Sequence, residues 1–252
     1  MTSKTSIKYS ASLLSAVEVT VAALADSAAI AIGFTAKSSG DKPVFDFPAH
    51  AVLVKKLEKL FEVDLRDELE FFSATGKTGE LFEIPVASDQ MQADRILLIG
   101  LGDATTASLR QAGAALGRKG RGKATVISSI CVANPDQLGA FAISVQLGAY
   151  IWTQKTGATQ ELPQFLFATD KPEIIGDASV IASAISCTRD LIHTPSNIKT
   201  PLWMADEAQQ IALAPQQAQG LLDRAVSALE RDTQGTLGSI NNLSADFRED
   251  DL

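Results

Sequence analysis

The sequence offers few side chains that could bind a metal ion. It contains two histidines, His50 and His193, and two cysteines, Cys131 and Cys187, and these residues are not clustered. Zinc sites usually need several His or Cys ligands at short spacing, so we predict no metal-binding residue. His193 is interpreted as a partner of a helix dipole, and Cys187 as a buried structural thiol. This cysteine usage argues against a disulfide framework and favours the reducing cytoplasm.

Two short glycine motifs could bind phosphate groups. Gly76–Thr78 resembles the end of a P-loop, whose backbone N–H groups surround phosphates, but Phe71 stands where the first glycine belongs. Gly100–Gly102 follows a predicted strand and precedes a predicted helix, as in dinucleotide-binding folds, but Thr105 replaces the third glycine. We therefore interpret both motifs as tight turns, and we predict no cofactor-binding residue.

Nucleophiles and carboxylates show no catalytic pattern either. Ser128–Ser129 lack the Gly-x-Ser-x-Gly setting of a nucleophile elbow. The acidic residues between Asp64 and Glu70 are interpreted as a solvated charged face. Asp103 and Thr106 are expected to cap a helix rather than to react. We predict no catalytic residue, and the residues alone indicate an α/β domain without a visible active site.

The composition is that of a globular chain with an acidic surface. Hydrophobic residues make up 46% of the chain, which is enough for a core, and the net charge of -8 argues against a nucleic-acid partner. Lys4 and Lys8 precede an apolar run, Ala11–Ala25, as in a secretory signal. Glu18 interrupts that run, and its alternation is typical of a strand. No apolar stretch is long enough to span a membrane, so we expect a cytoplasmic protein.

Hydrophobic periodicity divides the first part of the chain into short elements. Apolar runs predict strands at Ala16–Ala22, Ala28–Phe34, Leu69–Ala74 and Glu80–Val86. The last two of these strands would form a hairpin around a glycine-containing turn. Prolines predict a loop at Gly40–Pro48, and apolar residues at helical spacing predict a short helix at Ala51–Leu60.

From residue 95 onward, predicted strands and helices alternate. Strands are predicted at Arg95–Gly100, Lys123–Cys131 and Gln164–Ala168, and helices at Thr106–Leu116, Gln137–Trp152 and Leu202–Leu213. Asp177 would cap a further helix, whose inward face would carry Ile181, Ala184, Ile185, Thr188, Leu191 and Ile192. The apolar character of the first two strands predicts near-neighbouring interior positions in a sheet. This order favours an α/β layer structure with a mostly parallel sheet.

Three stretches of the chain resemble the N-terminal half of leucyl (cytosol) aminopeptidases. They are GKTGELFEIP at 76–85, RILLIGLGD at 95–103 followed by LRQAG at 109–113, and TRDLIHTPSNIKTP at 188–201. The last is the most specific, because the family shows Arg-Asp-Leu, Asn-x-Pro-x-Asn and Thr-Pro at this spacing. His193 stands where the family usually has Asn. The resemblance covers roughly residues 15 to 212.

The resemblance implies a fold, an assembly and an activity for the full-length family. The first domain would be a three-layer, macro-domain-like α/β unit with a mixed, mostly parallel sheet flanked by helices. The second domain would carry two divalent metals, manganese or zinc, and the hexameric proteins would remove N-terminal residues from peptides. The family's metal ligands lie in Gly-Gly-Lys-Gly and Asn-Thr-Asp-Ala-Glu-Gly-Arg motifs. This sequence lacks both motifs, and Asn241–Asp246 does not match the second.

We therefore expect an aminopeptidase N-terminal α/β domain at 1–175, a helical linker at 176–214 and a divergent, mobile tail at 215–252. The chain would be truncated before the catalytic domain, and it would be an incomplete or inactive form that serves assembly or substrate access. Its partners would be further copies of itself or a separate catalytic domain. Two alternatives remain, a standalone macro-like domain that binds a nucleotide-like ligand and an enzyme of unrecognised chemistry.

Overall fold

A computed structural model describes residues 13–17, 28–39, 42–48, 51–87, 92–128, 130, 134–152 and 162–213. The chain divides into two compact units, one from Lys8 to His193 and another that includes the chain from Thr194 onward. The domain boundaries expected at residues 175 and 214 stay predictions. His50, Ser129, Cys131 and the tail at 215–252 lie outside the described residues. None of the described helices combines the length and the apolar character that a membrane span requires.

A mixed sheet of seven strands lies at the centre of the larger unit. The strands are β1 (Leu14–Val17), β2 (Ala29–Ser39), β3 (Lys42–Asp46), β4 (Leu81–Pro85), β5 (Arg95–Gly100), β6 (Thr125–Ser128) and β7 (Gln164–Ala168). Their order is β1-β7-β6-β2-β5-β4, and β3 pairs with β2. β3 and β4 run antiparallel to their neighbours, and the other pairs are parallel. The predicted mixed, mostly parallel sheet is confirmed.

Helices cover both faces of this sheet and complete a three-layer structure. The helices of the larger unit are α1 (Ala51–Phe61), α2 (Leu65–Phe71), α3 (Thr106–Gly120), α4 (Pro135–Ala149) and α5 (Pro172–His193). The second unit contains α6 (Pro201–Leu213). Leu116 of α3 and Phe141 of α4 share one core with Leu97 of β5. Leu57 of α1 shares the other core with Ile96 of β5. Because successive strand residues point to opposite faces, β5 contributes to both cores.

β5 and β6 are interior strands that lie on either side of β2. Residues 29–34 of β2 pair with residues 95–100 of β5, and residues 29–31 pair with residues 126–128 of β6. The prediction of two near-neighbouring interior strands is therefore confirmed, although β6 is shorter than predicted.

The hairpin predicted before β4 is wrong, because its first strand belongs to a helix. Leu65–Phe71 forms α2, and the Asp64 side chain caps this helix by accepting from two backbone N–H groups of its first turn. Leu65 and Leu69 lie one helical turn apart and are both fully buried. The strand prediction followed the apolar residues at the end of this helix and missed the cap at its start.

The loop predicted at Gly40–Pro48 contains a strand. Lys42–Asp46 forms β3 and pairs antiparallel with β2. Pro43 is tolerated because β3 pairs on one side only, and an edge strand can lack an N–H group. Phe45 supplies the apolar contact, since it is buried with its ring 6.0 Å from the ring of Phe34.

The longest helix begins earlier and buries a different face than predicted. α5 starts at Pro172, so Asp177 lies inside the helix and does not cap it. The buried residues of α5 are Ile175, Ala178, Ala182 and Ser186. The residues predicted to face inward are half-buried or exposed, and Ile192 is 67% exposed. Small side chains let α5 pack closely on α4 and β1, whereas the prediction followed the large isoleucines.

Candidate functional site

The two glycine motifs meet at the carboxyl ends of β2 and β5. The paired turns, as we call them, are residues 75–80 and 100–105. The Gly102 N–H donates to the Gly76 carbonyl at 3.2 Å, and the Gly79 N–H donates to the Gly100 carbonyl at 2.8 Å. The motifs are separated in the sequence, and the antiparallel pairing of β4 with β5 brings them together.

Glycine is needed in the paired turns because protein atoms occupy the space of a side chain. A Cβ atom at Gly100 would overlap the Lys77 carbonyl, and one at Gly102 would overlap the Thr78 hydroxyl. Gly102 also has a φ of +60°, in the left-handed region that favours glycine. Packing of one turn on the other therefore explains these glycines without a phosphate ligand.

A capping network follows the paired turns at the start of α3. Thr105 is the N-cap, and its hydroxyl accepts from the Ser108 N–H at 3.3 Å. Asp103 Oδ1 accepts from the Thr105 N–H and hydroxyl at 3.2 and 2.9 Å and from the Ser108 hydroxyl. These bonds, above all the one from Ser108, lower the pKa of Asp103. The caps predicted at Asp103 and Thr106 are thus corrected, because Thr106 is already helical and Asp103 only supports Thr105.

Three cations surround Glu83 at the opposite, amino end of the sheet. Arg95 and Lys123 donate to Glu83 Oε1 at 2.6 and 2.9 Å. Lys119 donates to the other carboxylate oxygen. Burial opposes ionisation of this carboxyl group, but the three hydrogen bonds outweigh it and lower the pKa of Glu83 to about 2. This Glu83 cluster of four residues joins β4, β5, α3 and the loop that precedes β6.

A second polar group fixes the end of α5 on the end of α4. The Tyr150 hydroxyl donates to Asp190 Oδ1 at 2.7 Å. The Arg189 guanidinium lies 5.5 Å from the centre of the Tyr150 ring and donates to the Leu147 carbonyl at 3.4 Å. Burial and the hydrogen bond to Asp190 raise the pKa of the Tyr150 hydroxyl. We call these four residues the α5 junction, and two of them come from the most family-like stretch of the sequence.

One further cation and one ring contact lie at the C-terminal ends of α4 and α5. Arg121 donates to the carbonyls of Gly148 and Tyr150 at 2.6 and 2.9 Å, where α4 ends. His193 is the last residue of α5, as predicted, and its ring lies 5.7 Å from that of Trp152. Cys187, predicted to be buried, is half-buried on α5.

The other candidates from the sequence stay apart from one another. Within the described ranges, no group of three or more His, Cys, Asp or Glu side chains comes together as a metal site requires. Ser128 is buried, and its hydroxyl accepts from the Ile130 N–H at 3.3 Å. In the acidic stretch, Asp64 caps α2, and Asp67 and Glu70 are exposed.

Three residues that organise these sites were missed in the sequence. Glu83 had a signal, because a charged residue inside an otherwise apolar edge strand usually has a partner. Tyr150 had a weaker one, as one of only two tyrosines in the chain. Glu80, whose carboxylate accepts from the Gly76 N–H at 2.8 Å, had no signal, since this contact depends on the shape of the turn that precedes it.

Comparison with known proteins connects the chain to one group of peptidases. Residues 43–154 match the sequence model described as cytosol aminopeptidase family, N-terminal domain. A probable cytosol aminopeptidase of Geobacter sulfurreducens is 27% identical over 197 residues, which cover 71% of this chain and 40% of the relative. One from Rhodococcus opacus is 26% identical over 232 residues, which cover 86% of this chain and 43% of the relative. The chain thus spans less than half the length of these curated relatives.

Solved structures share the fold. A tomato leucine aminopeptidase mutant superposes with a TM-score of 0.61 at 20% identity, covering 80% of this chain and 42% of that one. The bottromycin maturation enzyme BotP superposes with a TM-score of 0.56 at 21% identity, covering 75% of this chain and 37% of that one. At these identities the likeness establishes a common fold and carries no statement about chemistry.

Proposed function

We propose that this chain, which carries the N-terminal domain of the cytosol (leucyl) aminopeptidase family, is a non-catalytic unit that serves assembly or substrate access. Removal of N-terminal residues from peptides would belong to a separate catalytic domain with two divalent metals, manganese or zinc. The chain would act in the cytoplasm, within a homo-oligomer or beside such a catalytic domain.

The α5 junction is the observation that carries this proposal. The larger unit ends at His193, and the contacts of Arg189 and Asp190 fix the helical turn just before that point. The residues that most resemble the family are therefore used to hold the end of a helix. A domain built in this way is suited to positioning the polypeptide that follows it.

The carboxylates at both ends of the sheet support a non-catalytic role. Two-metal hydrolysis needs carboxylates that hold cations about 3.5–4 Å apart. In the described part of the chain, Glu83 accepts from three cations, and Asp103 and Asp190 accept from hydroxyl groups. A metal ion would have to displace these donors, and the family's ligand motifs are absent from the sequence.

Hydrolysis of leucine p-nitroanilide tests the non-catalytic assignment. The purified chain is assayed without metal and with Mn²⁺ or Zn²⁺, beside a full-length family member as positive control. We expect no metal-dependent turnover from the chain alone. Turnover that co-purifies with the chain and disappears with a chelator would overturn the assignment.

Assembly is tested separately by light scattering after size-exclusion chromatography. One chain has a mass of 26.7 kDa. We expect a multiple of this mass, or co-elution with the catalytic region of the Geobacter relative produced on its own. A chain that stays monomeric and elutes apart from that region would contradict a role in assembly.

A further inference from the structure

The turn between α2 and β4 directs several donors at one carboxylate. The Thr75 N–H donates to Glu80 Oε2 at 3.0 Å, and the Gly76 N–H donates to the same oxygen at 2.8 Å. The Thr75 hydroxyl lies 3.3 Å from both carboxylate oxygens. Two backbone groups and one hydroxyl therefore share a ligand that the chain itself supplies.

Such a group of donors is the kind of site that binds oxyanions. Successive backbone N–H groups that converge in a turn form a positively polarised nest, which accepts carboxylate or phosphate oxygens. Gly76 has a φ of +73°, the left-handed conformation that such turns use. Bonds from a backbone N–H to an ionised oxygen are stronger than those to a neutral acceptor.

The shape of this turn has supports other than Glu80. The Gly76 carbonyl accepts from Gly102 N–H at 3.2 Å. On its other side Gly76 packs against β2, where a Cβ atom would lie 2.5 Å from the Cβ atom of Ala36. The donors at residues 75 and 76 therefore keep their arrangement when the Glu80 carboxylate is removed.

We propose that the Thr75–Gly76 turn is an oxyanion-binding nest whose resident ligand is the Glu80 carboxylate. An external carboxylate or phosphate enters the nest only when Glu80 is displaced or absent. Lys77, the next residue, is exposed and adds positive charge to the surroundings of an entering anion. The partial likeness of Gly76–Thr78 to a phosphate-binding loop then has a physical basis, with an internal carboxylate in place of the phosphate.

Chemical rescue of Glu80→Ala tests the nest. We expect the melting temperature of this variant to fall by about 3–6 °C, because several charge-assisted bonds are lost. Sodium acetate or sodium phosphate should recover at least half of this loss, compared with sodium chloride at equal ionic strength. The two anions distinguish a planar carboxylate from a tetrahedral phosphate as the better external ligand. Glu173→Ala, which removes an exposed carboxylate from the first turn of α5, is the matched control and should recover clearly less than Glu80→Ala.

Amide NMR gives a readout specific to the site. In Glu80→Ala, acetate or phosphate should shift the Thr75 and Gly76 amide signals, and wild type should show no such shift. Glu80→Gln retains one acceptor oxygen, so its melting temperature should fall less and should not respond to anions. This variant also decides the matter if Glu80→Ala does not fold, since an unchanged melting temperature in Glu80→Gln would overturn the proposal. An equal anion response in Glu80→Ala and Glu173→Ala would mean an adventitious ion only and would overturn it as well.

Discussion

The two ends of the central sheet are closed by opposite kinds of hydrogen bond. At the carboxyl end, side-chain oxygens accept from backbone N–H groups, as Glu80 does in the paired turns and Thr105 does at α3. At the amino end, cations donate to carbonyl and carboxylate oxygens, as Arg121 does at α4 and Lys123 does at Glu83. The crossover helices α3 and α4 begin at the first end and finish at the second, so their partial charges favour acceptors at one end and cations at the other.

This contrast shows that the two ends depend on different properties of the chain. The paired turns fit because their backbones have a particular shape, and a neutral methyl group is enough to disturb them. The Glu83 cluster depends on charge, so pH and salt should act on it more strongly than on the paired turns. Substitutions at the two ends can therefore distinguish the contribution of backbone shape to stability from that of side-chain charge.

Gly100→Ala should have the largest effect and tests the dependence on shape. The added Cβ atom would overlap the Lys77 carbonyl, a backbone atom that cannot move alone. We expect the free energy of unfolding to fall by about 2–3 kcal/mol, the upper part of the range for overpacked sites. Urea denaturation measures this change. Gly176→Ala is the control, because a Cβ atom there meets nothing within 4 Å and alanine favours a helix. Equal stability losses in both variants would refute a specific fit at the paired turns.

Glu83→Gln should have a smaller effect that depends on pH. The pKa of Glu83 in the folded chain is about 2, below its ordinary value of 4.5, so the ionised carboxylate stabilises the fold above pH 4.5. That contribution is lost as the pH falls from about 4.5 towards 2. We expect a loss of about 1–2 kcal/mol at pH 7, since solvent screens these partly exposed pairs.

Urea denaturation of wild type and Glu83→Gln at pH 7 and pH 3 measures the difference. The gap in stability between the two proteins should narrow at pH 3 and in high salt. Glu173→Gln, at an exposed position in the first turn of α5, removes only one carboxylate near a helix N-terminus and should show both trends more weakly. An equal difference in stability between wild type and Glu83→Gln at both pH values would mean that the charge of Glu83 does not stabilise the amino end of the sheet.

Tyr150→Phe should remove about 1 kcal/mol of stability by deleting one partly buried hydrogen bond to Asp190. The amide groups of the last two turns of α5 should then exchange hydrogen faster, and those of β5 should not. Because the pKa of the Tyr150 hydroxyl is raised in the folded chain, its contribution is present below the ordinary tyrosine pKa of about 10. That contribution is lost as the pH rises further, so the stability difference between wild type and variant should shrink in alkali. Uniformly faster exchange across the sheet would contradict a local role for the α5 junction.

Nucleotides should have the smallest effect at the carboxyl end. The glycines of the paired turns already enclose protein atoms, and the nest at Thr75 already holds Glu80. Calorimetric titration with ATP or ADP-ribose should show no binding tighter than about 10 μM, roughly -7 kcal/mol. Tighter binding would favour the alternative of a macro-like ligand-binding domain over the function proposed above.

The sequence predicts the interior of this fold better than its ends. β5 and α3 follow from apolar patterns that a buried strand and a core-facing helix must have. α2 was mistaken for a strand, because a short helix offers only one pair of buried residues, Leu65 and Leu69, as a signal. The buried face of α5 was misassigned because close helix packing selects small residues, and hydrophobicity alone does not reveal them.

The polar sites were predictable only where they depend on neighbours in the sequence. The cap of α3 was placed within one residue, since a cap is a local interaction. The Glu83 cluster joins residues from three elements and one loop, and Tyr150 donates to Asp190 on α5, so neither set of partners follows from the sequence without the topology. The joining of the two glycine motifs was missed for the same reason.

The pairing of β1 with β7 has a consequence for synthesis of the chain on the ribosome. Leu14 lies opposite Phe165, so β1 has no strand to pair with until β7 is synthesised roughly 150 residues later. At about 5–20 residues per second, this delay lasts on the order of 10–30 s. During that time β2, β5 and β6 can already pair, because their register requires nothing beyond Ser128. The nascent chain should therefore build its sheet outward from β2, and β1 should be the strand most exposed to wrong partners before release.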